Sequence, residues 1–202
     1  MPHIPEEAFR RADETPDEEF YRTPQIVTHI DDGAIAAVTQ LYRELFPAQG
    51  EILDLMSSWV SHLPPEVEYR RVIGLGMNEV ELRRNERLDS YIVQNLNTNP
   101  GLPFGEAEFD GVGICVSIDY LTKPVELLRE VGRVLKVDAP LVVTFSNRCF
   151  PKRQQPCAFP RLRVPVRSGR GADPGLGWAG IHPGRRCQRG ESRPHDPRRP
   201  LV

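Results

Sequence analysis

His62 is the first side chain to weigh for proton transfer, because an imidazole titrates in the physiological pH range. It stands in MSSWVSHLPPEVEYR, two residues before Pro64, where loop packing is the plainer reading. Tyr120 follows an apolar run at 109–117. Active-site groups of open α/β sheets gather after such strands, so Tyr120 is a candidate for lining a substrate pocket. Tyr21 and His29 lie among charges near the N-terminus and either pack on the domain or belong to a lid. Asp54 is the third residue of ILDL, near the end of the first strand, where it contacts a ligand or caps the short SSWVSH turn. Asp119 reads equally well as a solvated loop charge. Cys115 sits inside the apolar run and reads as core, not as a nucleophile. Gly74 and Gly76 form a GxG that has no third glycine and does not follow the first strand, so a nicotinamide site is a poor reading. Cysteines 115, 149, 157 and 187 form no CxxC pair, which argues against a zinc site or a disulfide framework.

These residues belong to a chain with two opposite halves. Its 202 residues carry a net charge of −2. Residues 1–150 hold 14 Lys+Arg and 25 Asp+Glu, a net of −11, whereas 151–202 hold 12 and 3, a net of +9. Eleven prolines fall in the first part and nine in the much shorter second part. Such an asymmetry marks a boundary. No apolar run approaches the ~20 residues of a membrane span. The first twenty residues are acidic and lack an apolar stretch, so no signal peptide is expected. The expectation is a cytoplasmic protein with no membrane partner.

The elements that must position the candidates follow from periodicity. Residues 1–30 are acidic and broken by prolines, yet carry Phe20, Tyr21, Ile26 and Val27, so part of this extension is expected to dock on the domain, by simple packing or as a lid. Asp31 or Asp32 caps a helix at 32–46, with Ile35, Val38, Leu41, Tyr42 and Phe46 (or Leu45) on one stripe. Strands are expected at 51–55, 71–75, 90–95, 109–117 and 140–146, with a short helix at 79–84. The run at 109–117 lacks polar alternation, as in a parallel sheet buried on both faces. A helix at 122–136 places Val125, Leu128, Val131 and Leu135 on one face, with Leu127 and Val134 beside them. Alternating strands and helices predict an α/β parallel sheet with flanking helices.

The alternation stops at Phe150. Arg, Pro and Gly supply 27 of the last 52 residues, too little apolar material to offset ordering entropy, so 151–202 is expected to be a disordered tail. A basic tail can contact phosphates, but with Trp178 and Phe159 as its main aromatics it offers few stacking platforms, and nucleic acid is not the expected partner.

Four pieces of text resemble the class I S-adenosylmethionine-dependent methyltransferases, in particular the methyltransferase type 11 group. They are EFDGVGICVSIDYLTKPVELLREVGRVLK at 108–136, LPF at 102–104, ILDL at 52–55 and VIGLGMNEVEL at 72–82. The resemblance covers roughly 45–150. It implies a Rossmann-like fold, S-adenosylmethionine as cofactor, and methyl transfer to a small-molecule acceptor. Such a displacement needs proximity and alignment more than a fixed catalytic motif, and a base only if the acceptor loses a proton. The implied cofactor contacts are Asp54, Ser57, Ser58, Asn78, Asn95 and Leu96, with Tyr120 and His62 toward the substrate.

The chain departs from that family's pattern at four places. The glycine-rich loop D-x-G-x-G-x-G is here Asp54-Leu55-Met56-Ser57-Ser58-Trp59-Val60. Gly76 stands where the second strand ends in an acidic residue, with Asn78 and Glu79 nearby. Asn95 replaces the acidic residue after the third strand, and Val137-Asp138-Ala139 replaces the turn before the fifth. The family's domain also continues past the fifth strand. Here the resemblance breaks after NRCFP and Arg/Pro/Gly text begins, as a reading-frame shift near codons 151–156 of a GC-rich gene would produce. The sheet is then expected to be incomplete at its C-terminal end and activity weak or lost. The missing glycines also keep open a non-catalytic Rossmann-like binding protein.

Overall fold

The computed structural model describes residue 11 and residues 15–145. The expectations for 146–150 and for the tail at 151–202 lie outside the described residues.

Short apolar runs, three of them buried almost throughout, place five strands in one parallel sheet. They are β1 (Glu51–Leu55), β2 (Arg71–Gly76), β3 (Ser90–Val93), β4 (Gly111–Cys115) and β5 (Leu141–Thr144). Strand β1 pairs with β2 and β4, β2 with β3, and β4 with β5, always in parallel. The order is β3-β2-β1-β4-β5. The chain therefore runs outward from β1 to one edge, then returns to lay β4 on the other side of β1. That reversal makes the carboxyl ends of β1 and β4 a topological switch point. The arrangement is a Rossmann-like α/β fold.

Helices α1 (Asp17–Phe20), α2 (Asp32–Leu45), α3 (Glu79–Arg84) and α4 (Pro124–Val134) accompany the sheet. Asp31 caps α2 by accepting from the Ala34 N–H at 2.9 Å. Val38, Tyr42 and Phe46 recur every four residues and are buried on one face of the sheet with Ile52, Val72 and Val142. Close approach there depends on Gly113, where a Cβ would lie 2.9 Å from the Tyr42 hydroxyl. On the other face, Leu127, Val131 and Val134 are fully buried against Leu53, Leu55, Leu75, Val112 and Ile114. Each such side chain contributes roughly 1.5–3 kcal/mol.

Details of α4 and β4 differ from the sequence expectations. The buried stripe of α4 is Pro124, Leu127, Val131 and Val134, while Val125 is exposed. Positions 124, 127, 131 and 134 follow the helical period, and 125 is turned about 100° away from them. The apolar run at 109–117 forms a strand only from Gly111 to Cys115: Phe109 makes an isolated bridge to Leu135, and Val116 turns to a φ of 53°. The crossovers 56–70 and 94–110 contain no helix, in keeping with the helices expected only at 32–46, 79–84 and 122–136. Pro64, Pro65, Pro100, Gly101 and Pro103 explain this, since proline removes a donor and blocks the preceding turn. Among the described residues, no helix is long and apolar enough to cross a membrane.

Candidate functional site

The loop that leaves β1 begins with a strained residue. Met56, at the position of the first glycine in the pattern above, has a φ of 59°. A left-handed conformation costs a non-glycine residue about 1–2 kcal/mol. The loop thus keeps a glycine-like backbone without the glycine, while the Met56 side chain packs half-buried on the core. Val116, just after β4, is held at a φ of 53°, which is rarer still for a β-branched residue. Both strained residues flank the switch point. Strain of this kind gathers at functional sites. Met56→Gly would relieve about 1 kcal/mol of strain and lose a similar amount of packing. Urea unfolding should therefore change by less than about 1 kcal/mol. A loss above ~2 kcal/mol would show that the side chain, not the backbone, decides this position.

Asp54 and the next turn form a closed polar unit. The Asp54 side chain is buried, at 7% exposure, and accepts from Ser57 Oγ at 2.6 Å and from Ser61 Oγ. Asn85, the C-cap of α3, reaches in from the neighbouring helix. Its Nδ2 donates to Ser61 Oγ and to the Ser58 carbonyl, both at 2.9 Å. Burial raises the Asp54 pKa above its ordinary 3.8, and the two serine hydroxyls offset this only in part. The folded state holds this proton more tightly than the unfolded chain. Its contribution is fully present below pH 3.8 and is lost as the pH rises through the raised value. Asp54→Asn carries no charge at any pH. The difference in melting temperature between variant and wild type should therefore shift in the variant's favour from pH 4 to pH 7. A difference that stays flat would refute the raised pKa.

The Ser57 N–H donates to the Leu75 carbonyl at 2.8 Å, which pulls the loop across the end of β2. The consequence is seen at Gly76, where a Cβ would lie 2.2 Å from the Ser57 carbonyl oxygen. No side chain fits there, so the absence of an acidic residue is the geometric partner of this loop path.

Beyond β2 and β3, the polar candidates meet the N-terminal segment. Asn78 caps α3 through Oδ1, accepting from Val80 and Glu81 N–H, and donates its Nδ2 to the Tyr21 carbonyl at 2.7 Å. Asn95 Nδ2 donates to Glu18 Oε1 at 2.6 Å, while its Oδ1 accepts from the N–H groups of Asn97 and Thr98. Leu96 is buried in the core at 5% exposure. Ser58 Oγ donates to Glu81 Oε2 at 2.6 Å. The candidates Asp54, Ser57 and Ser58 are thus brought together by the β1 loop, and Asn78 and Asn95 share residues 17–25 as partner.

Tyr120 lies in a 3-10 turn after β4, Ile118–Tyr120, and its carbonyl accepts from Asn97 Nδ2 at 3.1 Å. His62 is half-buried in the loop after β1, and burial lowers its pKa below 6.5, which leaves it neutral at pH 7. No hydrogen bond joins these two to the Asp54 unit. Cys115 is pushed up to about 11 by burial, as befits a packed thiol.

Three residues were not singled out by sequence. Asn85, Glu81 and Asn97 each join separate segments. Glu81 is buried at 6% exposure and also accepts the Gln25 N–H at 2.6 Å. Asn97 accepts the Thr122 N–H at 2.7 Å and donates to Asp17 Oδ2 at 2.8 Å. Their only trace in the sequence is their polarity, since Asn85 stands among charged residues and Asn97 beside Thr98, and periodicity alone passes over them.

No protein-family model and no curated protein matches the chain. Solved structures are similar in fold. The PH0226 protein from Pyrococcus horikoshii shares 22% identity at a TM-score of 0.49, covering 63% of this chain and 66% of that one. The YcgJ protein from Bacillus subtilis shares 18% at 0.46, covering 54% and 49%. An S-adenosylmethionine-dependent methyltransferase from Mesorhizobium loti shares 20% at 0.40, covering 50% and 49%. The chain spans about half the length of the last two.

Proposed function

We propose that this chain is a class I methyltransferase-type domain, of the type 11 group, whose ligand is S-adenosylmethionine and whose acceptor is a small molecule. The observation that carries this reading is the strand order β3-β2-β1-β4-β5, with strained residues at both sides of the switch point. The FD-to-LREVGRVLK text of β4 and α4 supports it. Asp54, Ser57, Ser58, Asn78, Asn95 and Leu96 belong to the cofactor side, and Tyr120 and His62 to the acceptor side.

In the present arrangement these residues do not fit the nucleoside. Each polar candidate on the cofactor side already has a partner within the chain, and Gly76 has no room for a carboxylate. No methyl-transfer step follows from this geometry. The same pairing favours a second reading, a non-catalytic Rossmann-like binding protein.

Calorimetry with S-adenosylmethionine separates the two. Heat that saturates with one site supports the first reading. No heat at high micromolar ligand, in a sample whose circular dichroism shows a folded sheet, leaves the second.

A further inference from the structure

We infer that residues 17–27 form a strap that occupies the cofactor site and must be displaced before an S-adenosyl nucleoside binds; this rests on the cofactor reading above. The segment is anchored at five points around the carboxyl ends of three strands. Tyr21 presents its carbonyl to Asn78 after β2. The Gln25 N–H is held by Glu81 at 2.6 Å. Glu18 accepts from Asn95, and Asp17 from Asn97, both after β3. The Trp59 indole N–H, in the β1 loop, donates to the Val27 carbonyl at 3.0 Å.

Two of these anchors, Asn78 and Asn95, are side chains assigned above to the cofactor side. A group cannot satisfy the strap and the nucleoside with the same donor. Glu81 ties the two halves together, since one carboxylate oxygen holds the strap at Gln25 and the other holds the β1 loop at Ser58. Releasing the strap therefore frees Asn78 and Asn95 directly and leaves Glu81 holding the β1 loop alone, through Ser58.

The strap is also built to leave. It joins the sheet mainly through side-chain contacts, and Phe20, Ile26 and Val27 remain 41%, 37% and 52% exposed. Asp17 is its best-fixed residue, at 4% exposure, and is further held by Arg11 at 2.6 Å. A ligand that binds only the strap-free population has its apparent Kd raised by the inverse of that population.

The experiment is titration of the full chain with S-adenosylhomocysteine, alongside the double variant Asp17→Ala, Glu18→Ala. Backbone amide exchange over 17–27 is followed in parallel. The variant should bind at least tenfold more tightly, and saturating ligand should speed exchange of 17–27 in the wild-type chain. Gln25→Pro, which removes the N–H held by Glu81, should act in the same direction if the double variant fails to fold. Equal affinity in wild type and variants, with unchanged exchange, would overturn the strap while leaving the cofactor reading standing. No binding by any of them, in folded samples, would overturn both.

Discussion

Gly76→Glu, the change that would restore an acidic residue at the end of β2, is expected to destabilise the chain by at least about 3 kcal/mol and to create no cofactor site. The reason is steric and local. A Cβ at position 76 meets the Ser57 carbonyl oxygen at 2.2 Å and Leu82 Cδ2 at 3.1 Å. The first contact is with backbone, which cannot swing aside as a side-chain tip can. Overpacking of this kind costs typically 1–3 kcal/mol, and the carboxylate adds a desolvation cost. Gly76→Ala isolates the Cβ and should lose about 2 kcal/mol. At this size each kcal/mol lowers the melting temperature by roughly 3–4 °C, so thermal unfolding reads both variants. A Gly76→Glu chain that melts with the wild type would show that the β1 loop readily takes another path.

Asn85→Ala should be nearly as damaging, at about 2–3 kcal/mol. Asn85 is 4% exposed and ties the Ser58 carbonyl and Ser61 Oγ to the end of α3, while its Oδ1 accepts the Arg87 N–H at 3.1 Å. Removing it leaves several buried polar groups without a partner, and each costs about 1–3 kcal/mol before relaxation. The effect should be coupled to Ser61, because both residues serve Asp54. In a double-mutant cycle, Asn85→Ala and Ser61→Ala should lose clearly less together than the sum of the two. Simple additivity would mean that the Asp54 unit is not one network. Both outcomes are measured by chemical unfolding at pH 7.

The degree to which this molecule could be read in advance differs between framework and site. Short helix α3 and strand β1 fall where the periodicity puts them, since apolar spacing reports directly on which face is buried. Element ends are less legible. The run at 109–117 is almost wholly apolar, yet Phe109 and Val116 lie outside the strand, which covers only Gly111 to Cys115. The α4 stripe was misplaced by one position, because Val125 and Leu128 are as apolar as the residues that are in fact buried.

At the site, residue types were legible and partnerships were not. Asp54 stands out in the sequence as an acid near the end of an apolar strand. That its carboxylate is held by Ser57 and Ser61, with Asn85 behind, depends on residues up to thirty-one positions away along the chain. Asn78 and Asn95 are hydrogen-bonding side chains in any reading. Whether they face a ligand or Tyr21 and Glu18 is a long-range question, spanning 57 and 77 residues.

The sequence by itself therefore determined the parallel α/β framework, the order of the elements and the chemical types at the strand ends. Local periodicity and capping are properties of neighbours in the chain, so they survive without tertiary information. Only the tertiary structure decided that the β1 loop lies across Gly76, that Asp54 is enclosed rather than open, and that residues 17–27 take the hydrogen bonds of Asn78 and Asn95. Those outcomes follow from steric exclusion and from the need to satisfy every buried donor, which act between residues that meet only when the chain has folded.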